Sequence, residues 1–195
     1  MRCIPNMVVS APMDEVELRN LMFTASQNHQ GPFSIRYPRG NGSLIDWKKP
    51  FQSIPIGKGR KLHSGTDIAL LSIGAIGTQA TAAQIALTNR GISAAHYDMR
   101  FVKPLDELML HEVFGAFDRV IVIEDGCITG GFGSAVAEFM ADNGYHARLK
   151  RLGLPDVFVE HGTQQELYAE NGYDTNGIVQ TAIEMLQQGQ KTGQS

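Results

Sequence analysis

Short apolar runs closed by turn residues alternate along this chain with longer stretches whose apolar positions recur at helical spacing. The first run, Met7 to Ser10, ends at Ala11-Pro12, where the missing N–H of proline stops a strand. Asp14 then opens a helix to about Asn28, with Val16, Leu18, Leu21, Met22 and Ala25 at helical spacing. Glu15 and Glu17 suit its positive N-terminal end. Gly31-Pro32 halts the helix and Phe33 to Tyr37 reads as a strand, which completes a βαβ unit. A domain rarely begins in a strand that has no earlier strand to pair with, so the chain is expected to be the tail of something longer.

Gly40 to Ser53 is polar, turn-rich and aperiodic, and is expected to be an exposed linker at a domain boundary. Beyond it, Ile56 to His63 predicts an edge strand or hairpin and Asp67 to Ile73 a buried strand. Thr78 to Asn89 is an alanine-rich helix with Gly91 as its left-handed cap. A strand at Ile92 to Tyr97 and a helix started by Pro104 and running to about Gly115 come next. The most informative stretch is Arg119 to Val136: a β-branched strand (Val120 to Ile123), an acidic exit (Glu124, Asp125), a glycine-rich turn (Gly126, Gly130, Gly131, Gly133) and a helix from Ser134. An uninterrupted apolar run of this kind suits a central parallel strand covered on both faces. A strand at Ala147 to Leu152, a break at Gly153-Leu154-Pro155-Asp156, and helices at Gln164 to Glu170 and Thr175 to Gln188 complete the pattern, and residues 189–195 read as a disordered tail. The alternation predicts an α/β fold with a mainly parallel, doubly wound sheet, preceded by a separate βαβ unit.

Composition narrows the classes. The chain has 195 residues, 43% hydrophobic and 19% charged, with a formal net charge of -3. No Lys/Arg run offers nucleic acid or an anionic membrane surface an electrostatic footprint, so neither is expected as a partner. Cys3 and Cys127 lie too far apart in sequence for a CxxC site, and two cysteines make no disulfide framework, which points to a reducing, cytoplasmic setting. No apolar run approaches the roughly 20 residues of a membrane span, and MRCIPNMVVS lacks the regions of a signal peptide.

Few residues are candidates for chemistry. GCITGGFG, from Gly126 to Gly133, is neither a GxGxxG fingerprint nor a Walker loop, and reads as close packing of helix on strand that glycine permits. Glu124 and Asp125 sit where open α/β sheets place ligands, yet without a partner group they read as caps of the following turn or as subunit contacts. In Ile35-Arg36-Tyr37-Pro38-Arg39-Gly40 two arginines leave a strand around a stiffening proline. Such guanidinium groups could clamp a phosphate or carboxylate, each charged hydrogen bond contributing about 1.5–3 kcal/mol. They could equally form surface ion pairs worth little. In Asp98 to Asp106 the expected pairing is Arg100 with Asp98 or Asp106, with Asp106 near a helix start. The six histidines form no His-x-x-x-His or His/Asp cluster, so a metal site is not expected, and His161 reads as a loop or interface residue. No GxSxG or Cys/His pattern suggests covalent catalysis by a side chain.

Taken in order, Ile4-Pro5-Asn6-Met7-Val8-Val9, Ala11-Pro12-Met13-Asp14-Glu15, Arg36-Tyr37-Pro38-Arg39-Gly40, Asp98-Met99-Arg100-Phe101-Val102-Lys103-Pro104-Leu105-Asp106, Gly130-Gly131-Phe132-Gly133-Ser134, Gly153-Leu154-Pro155-Asp156 and His161-Gly162 resemble the carboxyl-terminal third of the 1-deoxy-D-xylulose-5-phosphate synthase family, in the transketolase superfamily. The resemblance implies that residues 1–42 end a pyrimidine-binding domain, 43–53 are the linker and 54–188 are a transketolase C-terminal domain. It implies a homodimer in which pyruvate, decarboxylated on thiamine diphosphate with Mg2+, gives its two-carbon unit to glyceraldehyde 3-phosphate, for isoprenoid, thiamine and pyridoxal synthesis. The cofactor-binding motifs of the family would precede Met1, so this chain alone is expected to be inactive and to bind neither cofactor nor metal. By the same resemblance Arg39, with Arg36 supporting or replacing it, binds the substrate phosphate, and the C-terminal domain supplies no catalytic residue. The other readings are a 2-oxo acid dehydrogenase β subunit, a split transketolase subunit, and a non-catalytic docking or dimerisation module; the RYPRG and DMRFVKPLD strings speak against the first two.

Overall fold

The computed structural model describes residues 1–27, 31–39, 42 and 48–190. Residues 40, 41 and 43–47 of the expected linker, Asn28 at the end of the first predicted helix, and 191–195 of the expected tail lie outside the described residues. Gly189 and Gln190, read as tail, instead continue the final helix, because a nucleated helix gains a backbone hydrogen bond with each added residue.

The N-terminal unit is a short parallel pair, β1 (Val8–Ser10) and β2 (Phe33–Ile35), joined through helix α1 (Glu15–Ser26). Asp14 caps α1 by accepting the Glu17 N–H at 2.8 Å. The second part contains β3 (Arg60–His63), β4 (Ile68–Ile73), α2 (Gly77–Thr88), β5 (Ala94–Asp98), β6 (Phe101–Lys103), α3 (Glu107–Ala116), β7 (Arg119–Cys127), α4 (Phe132–Asp142), β8 (Arg148–Leu154), α5 (Gln164–Glu170) and α6 (Thr175–Gln190). Its sheet has the order β3-β5-β4-β7-β8, parallel except for the antiparallel edge strand β3.

Period-two alternation sends the strand residues to two cores. Ala69, Leu71 and Val122 face α3 and α4, where they meet Leu110, Val113, Val136 and Phe139. Leu70, Ile121 and Ile123 face α2 and α6, against Ala83, Leu87, Ile178 and Ala182. Helices on both faces make the sheet doubly wound. Gly91, at φ +76°, ends α2 in the left-handed region with the Ile92 N–H reaching back to the Leu87 carbonyl at 3.0 Å.

Several element bounds differ from the sequence expectation: β8 runs through Gly153 to Leu154, where a break is expected, α4 starts at Phe132 and not Ser134, and three more differences bear on the site. The helix expected to start at Pro104 starts at Glu107, because the Asp106 carboxylate accepts the Met109 N–H and caps it there. Phe101 to Lys103, unassigned from the pattern, is strand β6; it pairs antiparallel with β1 and gives the sheet order β2-β1-β6. Strand β7 runs on through the expected acidic exit to Cys127, with an irregular register between Ile123 and Cys127.

Through β6 the N-terminal unit shares a sheet with the second part. A small third core of Leu21, Ile54 and Phe101, flanked by Val8, Phe33 and Ile35, seals that junction. The end of the expected linker lies along α1, where the Gln52 N–H donates to Asn20 Oδ1 at 3.0 Å, and the first residue beyond it follows suit, the Ile54 N–H donating to Thr24 Oγ1 at 2.8 Å.

Candidate functional site

Strands β4 and β7 are neighbours whose crossovers leave toward opposite edges of the sheet, so a crevice opens at their carboxyl ends. Ile73 and Glu124 stand at its floor, and Ser10, Ala11 and Arg36 of the N-terminal unit cover it, leaving a cleft of about 300 Å³.

Glu124 is turned into the protein, as the capping reading expected. Its Oε2 accepts the Phe132 N–H and its Oε1 the Gly133 N–H, both at 2.8 Å, so the carboxylate caps the N-terminus of α4. Burial pushes its titration above the ordinary carboxylate range, and these two N–H donors partly offset that. A Cβ at Gly131 would collide with the Glu124 carboxylate and lie 2.5 Å from the Cys127 carbonyl oxygen. The glycine loop is therefore a packing device, and its Phe132 and Gly133 amides are occupied by a protein carboxylate.

Asp125 faces the other way. Its Oδ2 accepts from the Tyr168 hydroxyl at 3.1 Å and its Oδ1 from the Tyr173 hydroxyl at 3.4 Å. Burial first, and the Asp125 charge second, hold both phenols well above their usual range. The Arg36 guanidinium approaches Asp125 Oδ2 at 3.7 Å, with 55% of the arginine side chain exposed. The Arg36 N–H is fixed to the Ser10 carbonyl at 2.8 Å, so the chain leaves β2 at a set place on the cleft rim. Arg39 is exposed and makes no hydrogen bond or ion pair among the described residues. The two candidate arginines thus share one surface loop, but only Arg36 lines the cleft.

A second charged cluster joins the two parts. Arg100 pairs with neither Asp98 nor Asp106 through its side chain; it donates to Glu17 Oε2 and Oε1, both at 2.8 Å. The reason is geometric, because Arg100 has φ +56° and its backbone N–H, not its guanidinium, is directed at Asp98 Oδ1 at 3.3 Å. Arg60 spans Glu17 at 3.1 Å and Asp98 at 3.0 Å. Glu17 and Asp98 are almost fully enclosed, and burial pushes Asp98 up to about 6. Asp106, besides capping α3, accepts from the Gly59 N–H and Lys58 Nζ, each at 3.1 Å. No sequence signal marked Glu17 as a partner of residues more than 40 positions away.

His96 is buried beside Ser72, Oγ to Nε2 2.8 Å, and burial, then the charges of His63 and Arg60, push it down to about 4. With neither side chain reachable from solvent, the pair is a core contact. His161 lies in an exposed loop. Among the described residues no group of three or more His, Cys, Asp and Glu side chains could hold a metal ion, and no helix is long and apolar enough to cross a membrane.

Residues 57–178 match the family model "Transketolase, C-terminal domain". The chain is 60% identical over 181 residues to 1-deoxy-D-xylulose-5-phosphate synthase of Cytophaga hutchinsonii and 56% identical over 179 residues to that of Bacteroides fragilis. Those matches cover 92% and 91% of this chain, which spans about 28% of the length of either relative. Among solved structures, "Split gene transketolase, inactive beta4 tetramer" superposes with a TM-score of 0.83 at 29% identity, over 96% of this chain and 60% of that one.

Proposed function

The chain belongs to the transketolase C-terminal domain family, and from that premise we propose that it works as the carboxyl-terminal part of a 1-deoxy-D-xylulose-5-phosphate synthase, a transferase of two-carbon units. The substrates are pyruvate and glyceraldehyde 3-phosphate, and the complete enzyme is a cytoplasmic homodimer. The identity to the curated synthases supports the reaction. The observation that carries the site is the placement of Arg36 and Arg39 on one stiff loop beside the switch-point cleft, with their guanidinium N–H donors free of hydrogen bonds among the described residues.

On this reading Arg39 binds the phosphate of glyceraldehyde 3-phosphate, and Arg36 supports it from the cleft rim. A planar guanidinium matches phosphate with two parallel N–H donors, and Pro38 limits the loop's freedom to swing away. Thiamine diphosphate, with Mg2+, supplies the electron sink for decarboxylation and carbon–carbon bond formation in the complete enzyme. Among the described residues no group of three or more His, Cys, Asp and Glu side chains could hold the Mg2+. No chemical step is assigned to this chain; its residues bind and orient. The chain alone is then inactive.

In the complete enzyme Arg39→Ala raises KM for glyceraldehyde 3-phosphate much more than KM for pyruvate. Equal effects on the two constants would overturn the assignment. The likeness to an inactive split-gene transketolase assembly favours a second reading, in which the chain is an assembly module awaiting a separate catalytic partner. Synthase activity that appears only when a second, separately encoded polypeptide is added would establish it.

A further inference from the structure

The C-terminal domain has so far supplied only structure to the phosphate site. We infer that Asp125 is a positioning residue for that site: from the end of β7 it holds the Arg36 guanidinium at the cleft rim while leaving its N–H donors open to a phosphate. This rests on the functional reading above.

Three observations carry it. The carboxylate is anchored from behind by the Tyr168 and Tyr173 hydroxyls at 3.1 and 3.4 Å, and only 17% of its side chain is exposed. Its separation from Arg36, 3.7 Å, lies within ion-pair range but beyond hydrogen-bonding distance, so attraction orients the guanidinium without occupying a donor. The Arg36 backbone is pinned to Ser10, which leaves side-chain rotation as the freedom that Asp125 restrains. A long, half-exposed arginine otherwise loses considerable rotamer freedom when a ligand fixes it. The opposing effect is repulsion between Asp125 and the incoming phosphate. It acts across the guanidinium at a solvent-exposed rim, where water and salt weaken it. The orienting effect therefore decides the sign.

The test uses the complete enzyme. Asp125→Asn raises KM for glyceraldehyde 3-phosphate by about fivefold, an effect of the size expected for one oriented charged contact, while KM for pyruvate stays within about twofold. Asp125→Glu recovers most of the loss. In an Arg36→Ala background the same Asp125→Asn change has no further effect, because the group it acts through is gone. A side-chain 15N spectrum of the 195-residue chain gives a readout independent of turnover: Asp125→Asn shifts the Arg36 Nε–H resonance and leaves that of Arg39 in place. The inference is overturned if Asp125→Asn lowers KM for glyceraldehyde 3-phosphate, changes both constants alike, or acts equally with and without Arg36. If neither Arg36→Ala nor Arg39→Ala changes that KM, the phosphate site itself is misassigned and both readings fall. If those two variants raise it and Asp125→Asn does not, only the role of Asp125 fails.

Discussion

Arginine meets carboxylate at several places between the N-terminal unit and the second part of the chain, Arg2 with Glu138 at the surface among them, and the pairs at Glu17 and Asp125 differ in kind. At Glu17, Arg100 makes two hydrogen bonds of 2.8 Å and Arg60 a third of 3.1 Å, with both carboxylates of the cluster enclosed. At Asp125, Arg36 stands 3.7 Å away and half in solvent. The first arrangement spends donors of both arginines on enclosed carboxylates and fastens α1 to the loop between β5 and β6. The second leaves donors unspent. Where an arginine's N–H groups are consumed by protein carboxylates it serves the fold; where they remain open beside a cleft, a ligand can use them.

The largest test of that contrast is Glu17→Ala, which leaves Arg100 and Arg60 without their shared partner. Removing one member of a buried pair costs about 3–5 kcal/mol, read as a fall in the urea unfolding midpoint. A loss below about 1 kcal/mol, the range of surface pairs, would mean that this cluster is no firmer than the rim.

Next in size is the pH dependence beside the cluster. His96 is held near 4 against an ordinary 6.5, so the native state keeps it neutral. Its contribution is fully present above about 6.5 and is lost as pH falls toward 4. Asp98 is held near 6 against 3.8, so its contribution is greatest below about 3.8 and is lost as pH rises to 6. The two oppose each other between about 4 and 6, each with a span of a few kcal/mol at most. Wild-type stability therefore owes little net slope to them. Asp98→Asn steepens the loss on acidification, and His96→Gln makes stability fall as pH rises through the same window. Unfolding midpoints collected from pH 4 to 7 that run parallel for all three proteins would refute this.

A smaller effect is expected at Glu124, whose carboxylate caps α4. Glu124→Ala costs about 1–2 kcal/mol, as other lost caps do, with the change concentrated in amide exchange of the first turn of α4. The smallest is Arg36→Ala, within about 0.5 kcal/mol of wild type. Loss of several kcal/mol there would make Arg36 part of the clasp and remove the contrast.

Much of the architecture could be read locally. Helices α5 and α6, the buried strand β4 and the left-handed cap at Gly91 fell within a few residues of expectation, because periodicity and turn chemistry are properties of neighbouring residues. Packing by the glycine loop was legible for the same reason, since clustered glycines after a strand signal close approach. The arginine loop was legible as a candidate, though not the division of labour within it.

What the sequence by itself determined is therefore the local alphabet: which segments are strands and helices, where they stop, and that two arginines flank a proline at a strand exit. The tertiary structure alone decided which distant residues meet. Phe101 to Lys103 has no periodicity of its own and becomes a strand only because β1 offers an edge to pair with. Glu17 takes Arg100 from 83 positions away, and Asp125 faces an arginine of the other unit across the crevice that the crossover order opens. Hydrogen bonds and ion pairs act over a few ångströms and carry no memory of sequence separation, so no local pattern could have named these partners.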